Sequence, residues 1–378
     1  MTGIPRTTLP RATVTGDGVI LRQFAGSDAA DVTAACNDAQ VARYLPMVPQ
    51  PYTFDDAMIY LQHIVEDNWA TGGASFAIAD PATGRLLGSV GGGKPRSGGH
   101  AISVGYWVAP WARGRGVATA ATRALVKWLF ENGYGRIELT TDLANEASQR
   151  VALGAGFRHE GIRRSASASR DGDWYDTVVW TRLNTDSGEP TERLLPDLPA
   201  GKLSDGVVTL TRLAPADADD LYALQSLPEV VATTVRPDPP TLQSARDRCA
   251  QAAYPWLLGT RAEFAIRDTG TGAFAGDIGL FHEPLTSQAM IGYSVAREWR
   301  GRGYATRAAR LVSDWAFDHC RIARVVAGTA ADNAASQQVL LKAGFQREGY
   351  ERSRLPGPGG EGRIDDVSFA KLPADRPR

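Results

Sequence analysis

Cysteine is scarce in this chain: Cys36, Cys249 and Cys320 are the only three among 378 residues. They are widely spaced and form no Cys-x-x-Cys pair. A disulfide framework and a cysteine zinc site are both disfavoured, and a reducing compartment, the cytoplasm, is expected. The five histidines show no His-x-x-x-His or comparable spacing, so no metal site is expected. Long apolar runs are missing as well. None approaches the roughly 18 residues that span a membrane, and Met1 to Thr15 lacks the apolar centre of a signal peptide. An excess of charge is also absent, since 41 basic and 42 acidic residues leave a net charge of -1. No general field then favours nucleic acid or an anionic membrane, and any anion site must be local.

What is present is the composition of a folded protein, with 43% apolar and 22% charged residues over a length that suggests two or three domains. One short stretch occurs twice, as Arg113-Gly114-Arg115-Gly116-Val117-Ala118-Thr119 and as Arg300-Gly301-Arg302-Gly303-Tyr304-Ala305-Thr306. Each copy follows a strand-like run (Tyr106 to Ala109; Tyr293 to Ala296) and opens a helix-like run. A glycine turn between strand and helix presents unpaired N–H groups at the positive end of a helix dipole, beside arginines. Such a turn suits a phosphate.

The surroundings repeat too. Phe76-Ala77-Ile78 returns as Phe264-Ala265-Ile266, Asn145 to Gln149 as Asn333 to Gln337, and Ala155-Gly156-Phe157 as Ala343-Gly344-Phe345, each 188 residues on. The turn itself returns after 187. That constancy marks two copies of one domain, expected at 15–184 and 204–374, after a loose tail (1–14) and joined by a proline-containing linker (185–203). In the first copy, strands are expected at Val19 to Phe24, Phe76 to Ala79, Leu86 to Val90, Ala101 to Ala109 and Ile137 to Thr141. Two more follow at Arg158 to Arg163 and Trp174 to Leu183. Helices are expected at Ala29 to Cys36, Thr53 to Trp69, Val117 to Glu131 and Asn145 to Leu153. Trp107, Trp111, Trp128, Trp299 and Trp315 recur near the motifs and read as packing between helix and sheet.

The strand before the motif, the Arg-Gly-Arg-Gly turn, the Asn-x-x-Ser helix start and the Ala-Gly-Phe helix end together resemble the Gcn5-related N-acetyltransferases (GNAT), of the RimJ/RimL type. The resemblance covers nearly the whole chain. It implies two mixed α/β domains, each a mostly antiparallel twisted sheet flanked by helices, that transfer an acetyl group from acetyl-coenzyme A to a primary amine. The acceptor implied is a protein or peptide N-terminus or a small-molecule amine, attacking directly in a ternary complex. Arg113 to Thr119 and Arg300 to Thr306 would wrap the pyrophosphate, the glycines admitting the close approach that a Cβ would hinder. Main-chain groups of Val108 and Val295 would hold the pantetheine arm, on a strand splayed by a bulge. Asn145 and Asn333 would lie near that arm, and they also read as helix caps. Ser148 and Ser336 would protonate the departing thiolate in place of the tyrosine many relatives carry, where this chain has Ala152 and Leu340.

The general base is where the chain departs from the pattern. Relatives often carry a glutamate at the positions of Ser103 and Met290, or an acid at those of Ser167 and Leu355. Asp277, His282, Glu283, Glu138 and Asp142 are possible substitutes, each also readable as a surface or structural residue. Arg43 to Tyr52 and Arg236 to Thr241 would line the acceptor side. Tyr44, Met47 and Tyr52 there face Pro237, Pro239 and Pro240, so the two sites are expected to differ in acceptor. A scaffold or sensor that binds acyl-coenzyme A without catalysis is the competing expectation.

Overall fold

A computed structural model describes residues 8–95, 100–233, 240–357 and 361–376. The chain forms two compact units, Met1–Glu192 and Arg193–Arg378. The segment expected as a linker divides between them. Thr191 donates its N–H to Leu153 O (2.9 Å) in unit 1, while Leu195 and Leu198 are buried in the core of unit 2.

Unit 1 runs β1 (Val14–Gly16), β2 (Val19–Arg22), α1 (Ala29–Cys36), α2 (Ala39–Tyr44), α3 (Phe54–Ile59), a π-helical turn (Tyr60–Ile64), α4 (Val65–Ala70), β3 (Ala74–Ala79), β4 (Leu86–Gly92) and β5 (Ala101–Val108). Then follow α5 (Val117–Glu131), β6 (Arg136–Asp142), α6 (Glu146–Gly154), β7 (Arg158–Ala168) and β8 (Trp174–Leu183). Its eight strands lie in the order β1-β2-β3-β4-β5-β6-β8-β7, antiparallel throughout except for the parallel β5–β6 pair. β1 and α2 were not expected from the sequence. Both are very short, and neither carries a full period of its pattern.

Unit 2 repeats this plan with β9 (Lys202–Ser204), β10 (Val208–Arg212), α7 (Ala218–Gln225), α8 (Pro228–Val231), α9 (Leu242–Gln251), α10 (Ala253–Leu257), β11 (Arg261–Asp268), β12 (Phe274–Glu283) and β13 (Gln288–Val295). It closes with α11 (Tyr304–His319), β14 (Arg324–Ala330), α12 (Ala334–Lys342), β15 (Gln346–Pro356) and β16 (Arg363–Lys371). The strand order is the same, and β13–β14 is the parallel pair.

Local chemistry fixes the helix limits. Thr53 caps α3 through a reciprocal bond with Asp56, and Thr241 caps α9 in the same way with Ser244. After α5 the chain turns at Gly133, whose φ of 96° suits only glycine, and Tyr134 N–H returns to Leu129 O. α5 lays Ala121, Leu125, Val126 and Leu129 on the sheet. Beside them Trp69, Phe76 and Trp128 meet edge-on, with centroids 5.2 and 5.3 Å apart. Trp256, Phe264 and Trp315 repeat the trio in unit 2. Of the tryptophans expected to pack between helix and sheet, Trp128 and Trp315 are core, while Trp107, Trp111 and Trp299 are only partly buried.

Candidate functional site

In each unit the parallel strands part company. β5 pairs with β6 only over Ala101 to Val104, although its pairing with β4 continues to Val108. In unit 2 the β13–β14 pairing stops at Met290, while β12 follows β13 to Val295. Gly105 to Val108 and Ile291 to Val295 therefore present main-chain groups to a gap. No register shift interrupts any of these four pairings, so the expected bulge is not what opens the slot. The strands simply stop pairing.

Beyond the gap comes the glycine turn. Gly114, Gly116, Gly301 and Gly303 have φ of 71°, 76°, 74° and 82°. A Cβ at any of them would meet nothing within 4 Å, so glycine is required by the left-handed backbone rather than by crowding from the protein. Gly116 and Gly303 are the N-caps of α5 and α11, with no side-chain cap and no acidic residue in the first turn. The N–H groups of Val117, Ala118 and Thr119, and of Tyr304, Ala305 and Thr306, begin helices of 15 and 16 residues and stay available to an anion.

The arginines divide their work. Arg113 is ion-paired with Asp38, the N-cap of α2. Arg300 donates to Val295 O (2.9 Å) and to Glu229 (3.0 Å), which Arg297 also holds (2.8 Å). Each of these arginines thus ties the turn to the segment before the acceptor loop. Arg115 lies 3.8 Å from Asp80 and is more exposed, and Arg302 stacks 5.4 Å from the Trp299 ring. The Tyr304 hydroxyl donates to Asp268, and burial pushes its pKa up to about 12.

Asn145 and Asn333 are helix caps in the structure: their Oδ1 atoms accept the N–H of Ser148 and Ser336 at 3.1 Å. Each serine Oγ meets a phenol not assigned from sequence. Ser148 Oγ lies 2.8 Å from Tyr106 OH, and Ser336 Oγ lies 3.0 Å from Tyr293 OH. Burial raises both phenols, Tyr293 to about 12, so they stay protonated at neutral pH. A phenol that donates to the serine oxygen leaves the serine hydrogen free to point elsewhere. The available signal was the Gly-Tyr dipeptide that precedes both turns, Gly105-Tyr106 and Gly292-Tyr293. Ala152 and Leu340 are core residues.

Most base candidates are already occupied. Glu138 is buried between Arg136 (3.1 Å) and Arg163 (3.3 Å). Asp277 is held by Arg248 at 3.0 Å, His282 Nδ1 by Gly259 O at 2.9 Å, and Glu283 by Thr286 at 3.0 Å. On the acceptor side Tyr52 is buried in the α1–α3 core, which removes it from the loop surface, while Met47 is 84% exposed. Arg236, Pro237 and Pro239 lie outside the described residues.

A family model for the acetyltransferase (GNAT) domain matches residues 19–158 and again 208–346, well over half the chain. The chain belongs to the GNAT acetyltransferase family. It carries two copies of the family's domain and is thus of the N-acetyltransferase class. It is 35% identical over 117 residues to the probable N-acetyltransferase YjcK of Bacillus subtilis (strain 168), covering 30% of this chain and 65% of that relative. It is 28% identical over 170 residues to the uncharacterized N-acetyltransferase p20 of Bacillus licheniformis, covering 44% of this chain and 92% of that one. Among solved structures, Mycobacterium smegmatis RimJ in complex with CoA-disulfide aligns with 47% of this chain and 88% of its own, at 23% identity and a TM-score of 0.42. Among the described residues no three His, Cys, Asp or Glu side chains group to hold a metal, and no helix is long and apolar enough to cross a membrane.

Proposed function

We propose that each unit transfers the acetyl group of acetyl-coenzyme A to a primary amine by direct attack in a ternary complex. The observation that carries this reading is the recurrence, in both units, of an uncapped helix N-terminus behind a left-handed glycine turn, at the mouth of a gap between parallel strands. The residues fit the donor. The N–H groups from Gly114 to Thr119 and from Gly301 to Thr306 receive its pyrophosphate, with Arg115 and Arg302 the less committed cations. Main-chain groups of Val108 and Val295 hold the pantetheine arm at the unpaired edge and orient the thioester carbonyl. Ser148 and Ser336 supply the proton to the leaving sulfur, their hydroxyls oriented by Tyr106 and Tyr293.

The acceptor is a protein or peptide N-terminus or a small-molecule amine, and the names of the similar N-acetyltransferases support that class. Three buried thiols, none in a disulfide, support a reducing compartment such as the cytoplasm. Calorimetric titration with acetyl-coenzyme A tests the donor: two bound per chain is expected, one would mark a degenerate unit, and none would overturn the reading. Thiol release in the presence of amines tests transfer. Ser148→Ala and Ser336→Ala should slow turnover with little change in coenzyme affinity, and full rate in both variants would remove the acid role.

A further inference from the structure

The slot has two sides. Tyr106 and Tyr293 lie on the sheet face that packs on the long helix, together with Ser148 and Ser336. On the opposite face, beyond the last parallel pair, one cross-strand position holds a carboxylate in both units but on opposite strands. In unit 1 the pair is Asp142 on β6 with Thr177 on β8; in unit 2 it is Ala330 on β14 with Asp366 on β16. Directly opposed residues share a face with Cβ atoms about 5 Å apart, so the two carboxylates stand at nearly the same spot. Strand alternation places them on the face of the exposed Thr140 and Gly328, away from the core-facing Leu139 and Ala327.

Each carboxylate has unused capacity. Asp142 Oδ1 accepts Ala144 N–H at 2.6 Å, and among the described residues its Oδ2 has no partner. Tyr175, two residues before Thr177 on β8, shares its face. Arg170, in the β7–β8 turn, donates to Ala42 O and Leu45 O at 3.3 Å each, clasping the end of α2, and with it Tyr44, to this hairpin. Burial and, less strongly, the Asp142 carboxylate raise the Tyr44 and Tyr175 phenols. In unit 2 the Asp366 side chain is 3% exposed and lies over Gly328, where a Cβ would come within 2.7 Å of it. Its Oδ2 stands 3.6 Å from Arg354 Nε and the main-chain N–H groups of Thr329 and Val367 act on the carboxylate, while its Oδ1 has no hydrogen-bond partner among the described residues. A buried carboxylate oxygen without a donor is costly unless something supplies one.

We propose that Asp142 in unit 1 and Asp366 in unit 2 receive the ammonium group of the acceptor and take its first proton, with Tyr175 beside the cation in unit 1. This rests on the acetyl-transfer reading above. The ammonium gives one proton to the carboxylate and becomes a neutral amine. Its nitrogen bonds to the thioester carbon, the carbon–sulfur bond breaks, and the second nitrogen proton balances the one given to sulfur from the serine side. The carboxylic acid then releases its proton to water. In unit 1 the Arg43 guanidinium already lies over the Tyr44 ring, 5.3 Å from its centroid, which leaves Tyr175 as the aromatic wall for an alkylammonium. Unit 2 has Ile364 where unit 1 has Tyr175, and lacks that aromatic wall.

The test uses the full chain, with ethylamine, spermidine and trialanine as probes. The double variant Asp142→Asn with Asp366→Asn should lower amine-dependent thiol release about a hundredfold. It should also weaken spermidine binding to the coenzyme A-loaded protein about tenfold by calorimetry, while still binding two coenzymes. Asp142→Asn alone should account for most of the spermidine effect. Unchanged release and unchanged spermidine affinity, with coenzyme still bound, would overturn the inference alone. A parent protein that binds no coenzyme, or shows no amine-dependent release with any probe, overturns it together with the acetyl-transfer reading. If the asparagine variant loses coenzyme binding, the pair Asp142→Glu with Asp366→Glu decides: release within tenfold of the parent supports the role, and a loss as deep as that of asparagine overturns it.

Discussion

Beneath the helices that cover the open face, the two units solve one packing problem with different chemistry. In unit 1 Tyr60 OH meets Ser89 Oγ at 3.3 Å, and Asn68 donates to Ser75 Oγ at 2.9 Å. The positions 188 residues on from Tyr60, Ser75 and Ser89 are Arg248, Glu263 and Asp277. There Arg248 Nε donates to Glu263 at 2.6 Å and its NH2 to Asp277 at 3.0 Å, with Arg261 3.2 Å from Glu263. Both carboxylates are buried, and burial raises Asp277 despite Arg248. The same strands thus accept neutral pairs or an ionic triad, each side chain finding at least one partner although Asp277 Oδ1 has none among the described residues. The two fillings differ in what losing one partner costs, because an unpaired charge in the interior is far more expensive than an unpaired hydroxyl.

The largest expected effect breaks the triad. Arg248→Met leaves two buried carboxylates facing each other and should destabilise unit 2 by about 3 kcal/mol, at the low end for buried pairs because the arginine is partly exposed. Hydrogen exchange in β11 and β12 should accelerate, with β3 and β4 unaffected. Installing the unit 1 residues together, as Arg248→Tyr with Glu263→Ser and Asp277→Ser, should recover most of the loss. If Arg248→Met alone left exchange unchanged, the ionic filling would be worth no more than the neutral one.

Where the units agree, the effects should agree. Tyr106→Phe and Tyr293→Phe keep the ring and remove only the hydroxyl that orients each serine. Each should lower the turnover of its own unit about tenfold, or ~1.4 kcal/mol, with unchanged coenzyme affinity. Combined with the serine-to-alanine change in the same unit, the losses should not add, because the phenol acts through the serine. Additive losses would mean that the tyrosine works by another route.

How much of this was legible follows from sequence distance. The glycine turns, the Asn145 and Asn333 caps and the two-domain repeat are local words at constant spacing, and the chain shows them directly. Tyr106 and Ser148 stand 42 residues apart and meet only because β5 and β6 are neighbours. Asp142 could be seen as an acid but not as the counterpart of Asp366, since that equivalence exists only across a strand pair. Arg248, Glu263 and Asp277 come from three segments, and each alone reads as surface charge. The slot was expected to need a bulge, yet the register along β5 and β13 is unbroken, and no residue pattern marks where two strands cease to pair.

A smaller stability effect tests the neutral filling of unit 1. Tyr60→Phe removes one hydroxyl and leaves Ser89 Oγ without that partner, at a cost of about 1 kcal/mol. Chemical denaturation measures it. A loss as large as that of Arg248→Met would erase the distinction between the two fillings.

The smallest effect concerns the acids that hold the turn arginines. Glu229 lies at the start of α8, where a backbone N–H, then Arg297 and Arg300, bring its pKa down to about 2; Asp38 is also lowered, chiefly by Arg113. A carboxylate lowered on folding contributes fully above its unfolded pKa and loses that contribution as pH falls through the folded value. For Glu229 the window runs from about 4.5 down to about 2. Its carbonyl carbon shift, followed by NMR, should therefore stay at the ionised value through pH 4 and move near pH 2. Because the group is exposed, the pair is screened by salt and should scarcely move the denaturation midpoint. In the variant Arg297→Gln with Arg300→Gln the titration should rise toward the ordinary glutamate range, but only part of the way, since the helix-start N–H remains. A full return would assign the shift to the arginines alone. No change would assign it to the helix start, and the tie between turn and acceptor loop would then be electrostatic in unit 1 only.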